Sequence, residues 1–229
     1  MPLDCSIRHE EPSDEFVVEQ LCREAFWNLH TPGCDEHYLV HVLRDHPDYI
    51  PELSFVIEND EGTVIGCIFF TKSSIKHQDG RLMETLTFGP VAIHPSYQRK
   101  GIGSKLISHA IKKVSEHPNN YRFIIILGFP KNYCRYGFKS CQSYNITDST
   151  GRFPLGQLVL DLNPDLELPK GPWIFQYSPV YDNLSEEETI KYDKNKFSPK
   201  EKMVKPCQVE FDMCCKAHLD LESAVENTP

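Results

Sequence analysis

The stretch that most constrains this chain is "GIGSKLISHAIKKVSEH", residues 101 to 117. Ile102, Leu106, Ile107, Ala110, Ile111 and Val114 recur at helical spacing, while Ser104, Lys105, Ser108, His109, Lys112 and Ser115 occupy the other side. An amphipathic helix of this kind needs an apolar surface to cover. The neighbouring segments supply one. "RLMETLTFGPVAI" precedes it and is rich in strand formers, and "RFIIILGF" follows as an unbroken apolar run, the pattern of a strand covered on both faces. Strand, helix and buried strand in that order define an α/β layer.

The rest of the chain extends this layer. "CSIRH" reads as a short strand, and "SDEFVVEQLCREAFWNLH" as a helix that Ser13 or Asp14 can cap. "DEHYLVHVLRDHP" is a second helix, stopped by Pro47. The period then drops to two in "LSFVIE" and "TVIGCIFFTKSSI". Gly89-Pro90 is expected to interrupt the long strand that follows, because Pro removes a ladder donor. "KNYCRYGF" is a helical turn stopped by Gly137, and "KSCQSYNI" and "GQLVLDL" are two further strands. The order β-α-α-β-β-β-α-β-α-β-β indicates a mixed sheet, not a regular doubly wound repeat. Beyond about residue 165 the pattern changes. "LPKGPWIFQYSPVYDNL" mixes prolines with aromatics, "SEEETIKYDKNKFSPKEK" is charged with weak periodicity, and "CQVEFDM" alternates like a last strand. The tail from Lys216 reads as frayed.

A net charge of −9 argues against general nucleic-acid binding, which needs clustered Lys and Arg, and suits cationic partners such as amines. The nine cysteines are irregularly spaced and follow a start, "MPLDCSIRHEE", with no apolar core of a secretory signal. They read as reduced thiols in a cytoplasmic protein. No apolar run is long enough to span a bilayer.

The mouth of the central helix, "YQRKGIG", permits three phosphate readings. A Walker loop requires G-x-x-x-x-G-K-[ST], which is absent. A dinucleotide fingerprint requires a third glycine where Leu106 stands. The general reading fits better. A helix start presents unpaired N–H groups and partial positive charge, Gly101 and Gly103 permit close approach, and Arg99 and Lys100 add formal charge. A solvated glycine turn fits the stretch equally well on its own.

"GPVAIHPSYQRKGIGSKLI" closely resembles the acetyl-CoA signature of the GNAT (GCN5-related) N-acetyltransferases, Q/R-x-x-G-x-G/A between a strand and a helix, with Gln98, Gly101 and Gly103 at the motif positions. "SIRHEEPSDEFVVEQLCREAF" looks like the family's opening strand and helix. "NYCRYGF" looks like its later aromatic segment, with Tyr133 four residues before Gly137 and Phe138. The resemblance covers roughly residues 5 to 162. It implies the GNAT (acyl-CoA N-acyltransferase) α/β fold: a central mixed, mostly antiparallel, twisted sheet, splayed between two central strands and flanked by helices. The implied organisation is a catalytic domain over residues 1–165 and a C-terminal extension over 166–229.

What the resemblance implies for the site is specific. Acetyl-CoA serves as co-substrate, without a metal. Backbone groups of Val91, Ala92 and Ile93 bond its pantetheine arm. Gln98, Arg99, Lys100, Gly101, Ile102, Gly103 and Ser104 hold its pyrophosphate. Tyr133 stands where the family places the acid that meets the departing thiolate. Branches of the family with a strand carboxylate place it about where Thr87 stands. Glu84, on the same strand, is the nearest acid and would serve through a bulge or a water. The expected activity is acetyl transfer to a primary amine by direct attack in a ternary complex, the acceptor being a small amine, a polyamine or a protein amino group. A homodimer is consistent with the family. "PWIFQYSPVYD" either shapes the acceptor site or closes the sheet as an edge hairpin. The rival readings are a non-catalytic acyl-CoA-binding module and a protein that reads phosphate alone. His94 reads as a turn residue in His-Pro, and Cys134 as a packing thiol. His37 and His41 share metal-binding spacing with no third ligand identifiable.

Overall fold

The computed structural model describes residues 4–169 and 171–219. The chain begins with β1 (Cys5–His9), α1 (Glu15–Phe26) and α2 (Glu36–Leu43). Three strands follow: β2 (Phe55–Asn59), β3 (Val64–His77) and β4 (Leu82–Ile93). Then come α3 (Ile102–Ser115), β5 (Phe123–Leu127), α4 (Pro130–Tyr133), β6 (Lys139–Ser140), β7 (Ile146–Thr147), β8 (Phe153–Pro154) and β9 (Gln157–Asp161). The chain continues through β10 (Trp173–Gln176), α5 (Glu186–Lys196), α6 (Pro206–Lys216) and β11 (His218–Leu219). The main sheet has the strand order β1-β2-β3-β4-β5-β9-β6, with β10 joined to β3 and β7.

Two compact units are each assembled from separate stretches of chain. The first takes residues up to Thr71, Phe88–Glu116 and Ser178–Gln208. Here β1 and β2 pair antiparallel, as do β2 and β3, with a bulge between Ile57 and Glu58. Residues 64–71 of β3 are all buried, so its apolar run has no polar alternate. One set of side chains, Val56, Cys67, Phe69 and Ala92, packs with Val18, Leu21 and Cys22 of α1 and Leu39, Val40 and Leu43 of α2. The other set faces α3, where Ile93 Cγ1 comes within 3.5 Å of the position of a Cβ on Gly103. Helices on both faces require this two-sided apolar strand.

The second unit takes Lys72–Thr87, His117–Tyr177 and Val209 onward. The parallel β4–β5 pair is in register at Leu86↔Ile124, and β9 pairs antiparallel with both β5 and β6. β10 pairs antiparallel with the end of β3, Trp173 opposite His77. Ile75, Phe123, Ile125, Cys141, Ile146, Val159, Trp173 and Phe175 form its core.

Four local expectations change. Gly89-Pro90 does not break β4, which runs through it to Ile93 with a cis Gly89–Pro90 peptide. "CQVEFDM" is helical, not a strand. Pro206 opens α6 in its first turn, and Gln208 and Cys214 turn inward while Val209 and Met213 are exposed. The alternation of Val209, Phe211 and Met213 was therefore a poor guide to which side is covered. "KSCQSYNI" is split into β6, a 3-10 turn and β7, because Asn145 adopts φ 52°, a left-handed conformation that ends the turn. The charged segment is α5, capped by Ser185, whose hydroxyl accepts from the Glu188 N–H at 3.3 Å. The expected frayed tail lies mostly outside the described residues.

Gly66 on β3 has no room for a side chain. A Cβ there would lie 2.5 Å from Ile93 Cδ1, 2.8 Å from Ile57 Cγ2 and 3.0 Å from the Ala92 carbonyl oxygen. Gly66→Ala should therefore destabilise the protein by roughly 1–3 kcal/mol through overpacking, read as a lowered midpoint in urea with an unchanged m-value.

Candidate functional site

The turn between β4 and α3 is built by successive local devices. His94 caps a 3-10 turn over Pro95–Tyr97, its Nδ1 accepting from the Ser96 N–H at 3.3 Å. The Gln98 side chain reaches back and donates from Nε2 to the Ile93 carbonyl at 3.0 Å, tying the loop to the strand end. Arg99 and Gly101 then take left-handed conformations, φ 59° and 83°. Gly101 is the N-cap of α3 and has no side chain to cover the helix end. The Lys105 N–H donates to the Gly101 carbonyl at 3.0 Å, an i→i−4 bond that ties the helix to its N-cap. Helix geometry thus leaves the Ile102 and Gly103 N–H groups without an i−4 acceptor. Arg99, Lys100 and Gly101 are exposed beside them, Lys100 with its Nζ 5.2 Å above the Tyr97 ring. Closely spaced N–H groups, a helix dipole and two cations make a surface for an anion.

The backbone of β4 alternates, and the alternation separates the three strand residues. The His94 N–H donates to the Ile65 carbonyl at 2.9 Å, and the Ala92 carbonyl lies against Gly66. Residues 92 and 94 therefore turn their backbone groups toward β3, and 91 and 93 turn theirs the opposite way. Of the three expected pantetheine partners, Val91 and Ile93 face away from β3, whereas Ala92 is occupied with it.

A residue of the C-terminal segment meets the same strand. The Tyr181 hydroxyl donates to the Gly89 carbonyl at 3.2 Å and lies 3.1 Å from Thr71 Oγ1, which completes the chain of bonds as donor. Burial pushes the Tyr181 hydroxyl up to about 12, so it stays protonated and can donate. Tyr181 carried no sequence signal beyond its place in an aromatic stretch. Its role depends on a long-range contact, 92 residues from Gly89.

The second unit holds the other expected catalytic groups. Tyr133 ends α4, and its ring lies directly over the Gly128 backbone. A Cβ on Gly128 would stand 2.5 Å from Tyr133 Cε2. Phe138 meets the ring edge-on at 5.9 Å. Burial, with a smaller contribution from Tyr136, pushes the Tyr133 hydroxyl up to about 12, which fits a proton donor and not a base. The loop beneath is held by the Gly128 N–H donating to Gly156 at 2.8 Å, and by Phe211 of α6 packed on Phe129 at 5.7 Å. Glu84 is exposed on β4. Strand alternation puts it on the opposite face from Thr85 and Thr87. Thr87 is 3% exposed, and its Oγ1 makes no hydrogen bond among the described residues.

The remaining groups stand elsewhere. Cys134 is exposed. His37 is fully buried beside Asp193, and His41 stacks on Tyr192 at 4.4 Å and bonds Glu19. Among the described residues no three His, Cys, Asp or Glu side chains converge on a metal position. No helix among them is long and apolar enough to cross a membrane.

Comparison with known proteins agrees with this arrangement. Residues 51–140 match the family model described as an acetyltransferase (GNAT) domain. The chain is 28% identical over 140 residues to the uncharacterized N-acetyltransferase YhbS of Escherichia coli K12, covering 61% of this chain and 77% of that protein. The crystal structure of a GNAT family acetyltransferase from Brucella melitensis in complex with acetyl-CoA aligns with TM-score 0.59 and 26% identity, over 78% of this chain and 99% of that one. The structure of Escherichia coli YhbS in complex with CoA has the same fold, with TM-score 0.64 and 24% identity over 80% of this chain and 94% of that one. A mixed sheet with flanking helices, the glycine turn at the head of α3 and these matches together show the GNAT fold, with residues 51–140 matching the acetyltransferase domain of that family.

Proposed function

We propose that this protein transfers an acetyl group from acetyl-CoA to a primary amine, the amine attacking directly within a ternary complex. The observation that carries the reading is the α3 turn, where two left-handed residues and an uncapped helix start align backbone N–H groups beside Arg99 and Lys100. The related Brucella protein, solved with acetyl-CoA, supports the choice of co-substrate.

Acetyl-CoA supplies the activated acetyl thioester, and the chain's own groups do the rest. The amides at the head of α3, with Arg99 and Lys100, hold the pyrophosphate. Val91 and Ile93 offer their outward backbone groups to the pantetheine amides, and Gln98 keeps the turn against the strand. Tyr133 donates a hydrogen bond to the departing thiolate, whose ordinary pKa of ~8.5 lies well below that of the buried phenol, so the hydroxyl keeps its proton and remains a donor throughout the working range. Tyr181 fixes the Gly89 carbonyl and with it the course of β4. The lone hydroxyl of Thr87 offers a hydrogen-bond partner for substrate or water. Glu84, exposed to solvent, can take the amine proton only through water.

The direct test is release of free CoA thiol over a panel of primary amines. Turnover with at least one amine is expected, and failure of both acetyl-CoA and CoA to bind in calorimetry would contradict the reading. Tyr133→Phe should lower kcat about tenfold or more and leave the KM for acetyl-CoA within about twofold. Because Tyr133 remains protonated, kcat should rise as the acceptor amine loses its proton and show no descending limb below about pH 10. Arg99→Ala/Lys100→Ala should instead raise the KM for acetyl-CoA, with the loss reduced at high salt. Tyr181→Phe should cost roughly 0.5–1.5 kcal/mol of stability and raise KM and lower kcat together, since it releases β4.

A further inference from the structure

We propose that a second site, distinct in its residues from the β4–α3 turn and independent of the acetyl-transfer reading, binds a small apolar carboxylate with a single-ring or branched body. The site is a cavity of about 260 Å³ within the first unit, between the end of α1, the loop before α2, and α5 with the segment that follows it. Trp27, Ile190, Phe197 and Pro199 supply apolar wall, and Lys194, Lys200 and Lys202 stand around it. That volume falls just below the roughly 300 Å³ at which pockets for drug-sized ligands begin, which limits the occupant to a compact molecule.

The charge pattern selects an anion. Among the described residues Asp193 is the one acidic residue lining the cavity, and Arg23 neutralises it through bonds of 2.5 and 3.2 Å. Trp27 and Phe197 pack on the same guanidinium, with Arg23 Cζ 4.3 and 5.1 Å from their ring centres. Lys200 is matched by Glu24 at 2.7 Å. The stem of Lys202 lies along Gly33, its Cε 3.0 Å from where a Cβ would be. Among the lining side chains the excess positive charge is therefore that of Lys194 and Lys202, at the edge of an apolar wall; Asp35 and Glu36 lie behind Cys34, Glu36 beside His30 at 3.2 Å. An amine would meet like charge there.

The floor invites a different reading, which the chemistry removes. Cys34 Sγ is 3.4 Å from His37 Nδ1, and His37 Nε2 is 3.2 Å from Asp193 Oδ1, the order of a thiol–imidazole–carboxylate relay. Burial pushes the Cys34 thiol far above its ordinary range, and Asp35 and Glu36 push it the same way. Burial also depresses His37, so neither group carries charge, and the Asp193 carboxylate is spent on Arg23. Cys34, which lines the cavity, with His37 beside it is a neutral thiol and not an activated nucleophile.

Calorimetry on the full chain with phenylacetate, phenylacetamide and phenethylamine tests this without acetyl-CoA. Saturable phenylacetate binding is expected with a Kd on the order of 1 mM, at least about tenfold tighter than either analogue and weakened by salt. Lys194→Ala/Lys202→Ala, at exposed positions, should weaken it at least about fivefold with an unchanged thermal midpoint, and Ile190→Trp should fill the cavity and abolish it. No saturable phenylacetate binding, equal binding of the amine, or full affinity in the double lysine variant would each overturn the proposal.

Discussion

Ile93 is held between two glycines, and the candidate site depends on that contact. Gly66 on β3 leaves room for its Cδ1, and Gly103 on α3 leaves room for its Cγ1. The last residue of β4 can then lie against both the neighbouring strand and the helix start. Its carbonyl takes the Gln98 side chain at 3.0 Å, so the turn begins from a fixed point. From there the left-handed Arg99 and Gly101 swing the amides of the first turn into line. A side chain on Gly66 would push Ile93 aside and shift the strand end, whereas a Cβ on Gly103 would meet Ile93 Cγ1 at an ordinary contact of 3.5 Å.

Residues beyond 165 support elements in each of the two units. In the first unit α5 docks on α1 and α2 through buried polar contacts. Tyr192 donates to Glu19 at 2.6 Å, and Arg23 bonds Asp193. Glu19 is 1% exposed and also accepts from Arg44 at 2.8 Å, so loss of its partners would leave a buried charge unmatched. Just before α5, Tyr181 holds the Gly89 carbonyl. In the second unit α6 supports the loop that carries Tyr133, through Phe211 on Phe129 and the Gly156 N–H to the Cys214 carbonyl at 3.1 Å. Tyr133 and β4 are thus both braced by residues beyond 165.

Much of the fold was legible because its signals are local. The helical stripe of Ile102, Leu106, Ala110 and Val114 and the apolar run of β5 each carry their own period. The glycine turn at the head of α3 was legible for the same reason, since two glycines and two cations fall within five residues. The failures have a common cause. Val209, Phe211 and Met213 alternate, yet a helix buries Gln208 and Cys214, because what covers that segment is distant in sequence. Tyr181 and the backbone choice of Val91 and Ile93 over Ala92 depend on pairing with β3, which no short stretch encodes.

The most direct measurement is residue-resolved amide hydrogen exchange with and without acetyl-CoA. The Val91 and Ile93 amides, and those from Gly101 to Ser104, should slow markedly on addition of acetyl-CoA, while Ala92, already turned to β3, should change little. Unchanged exchange at the head of α3, or protection of Ala92 in place of Val91 and Ile93, would contradict this account of the cofactor strand.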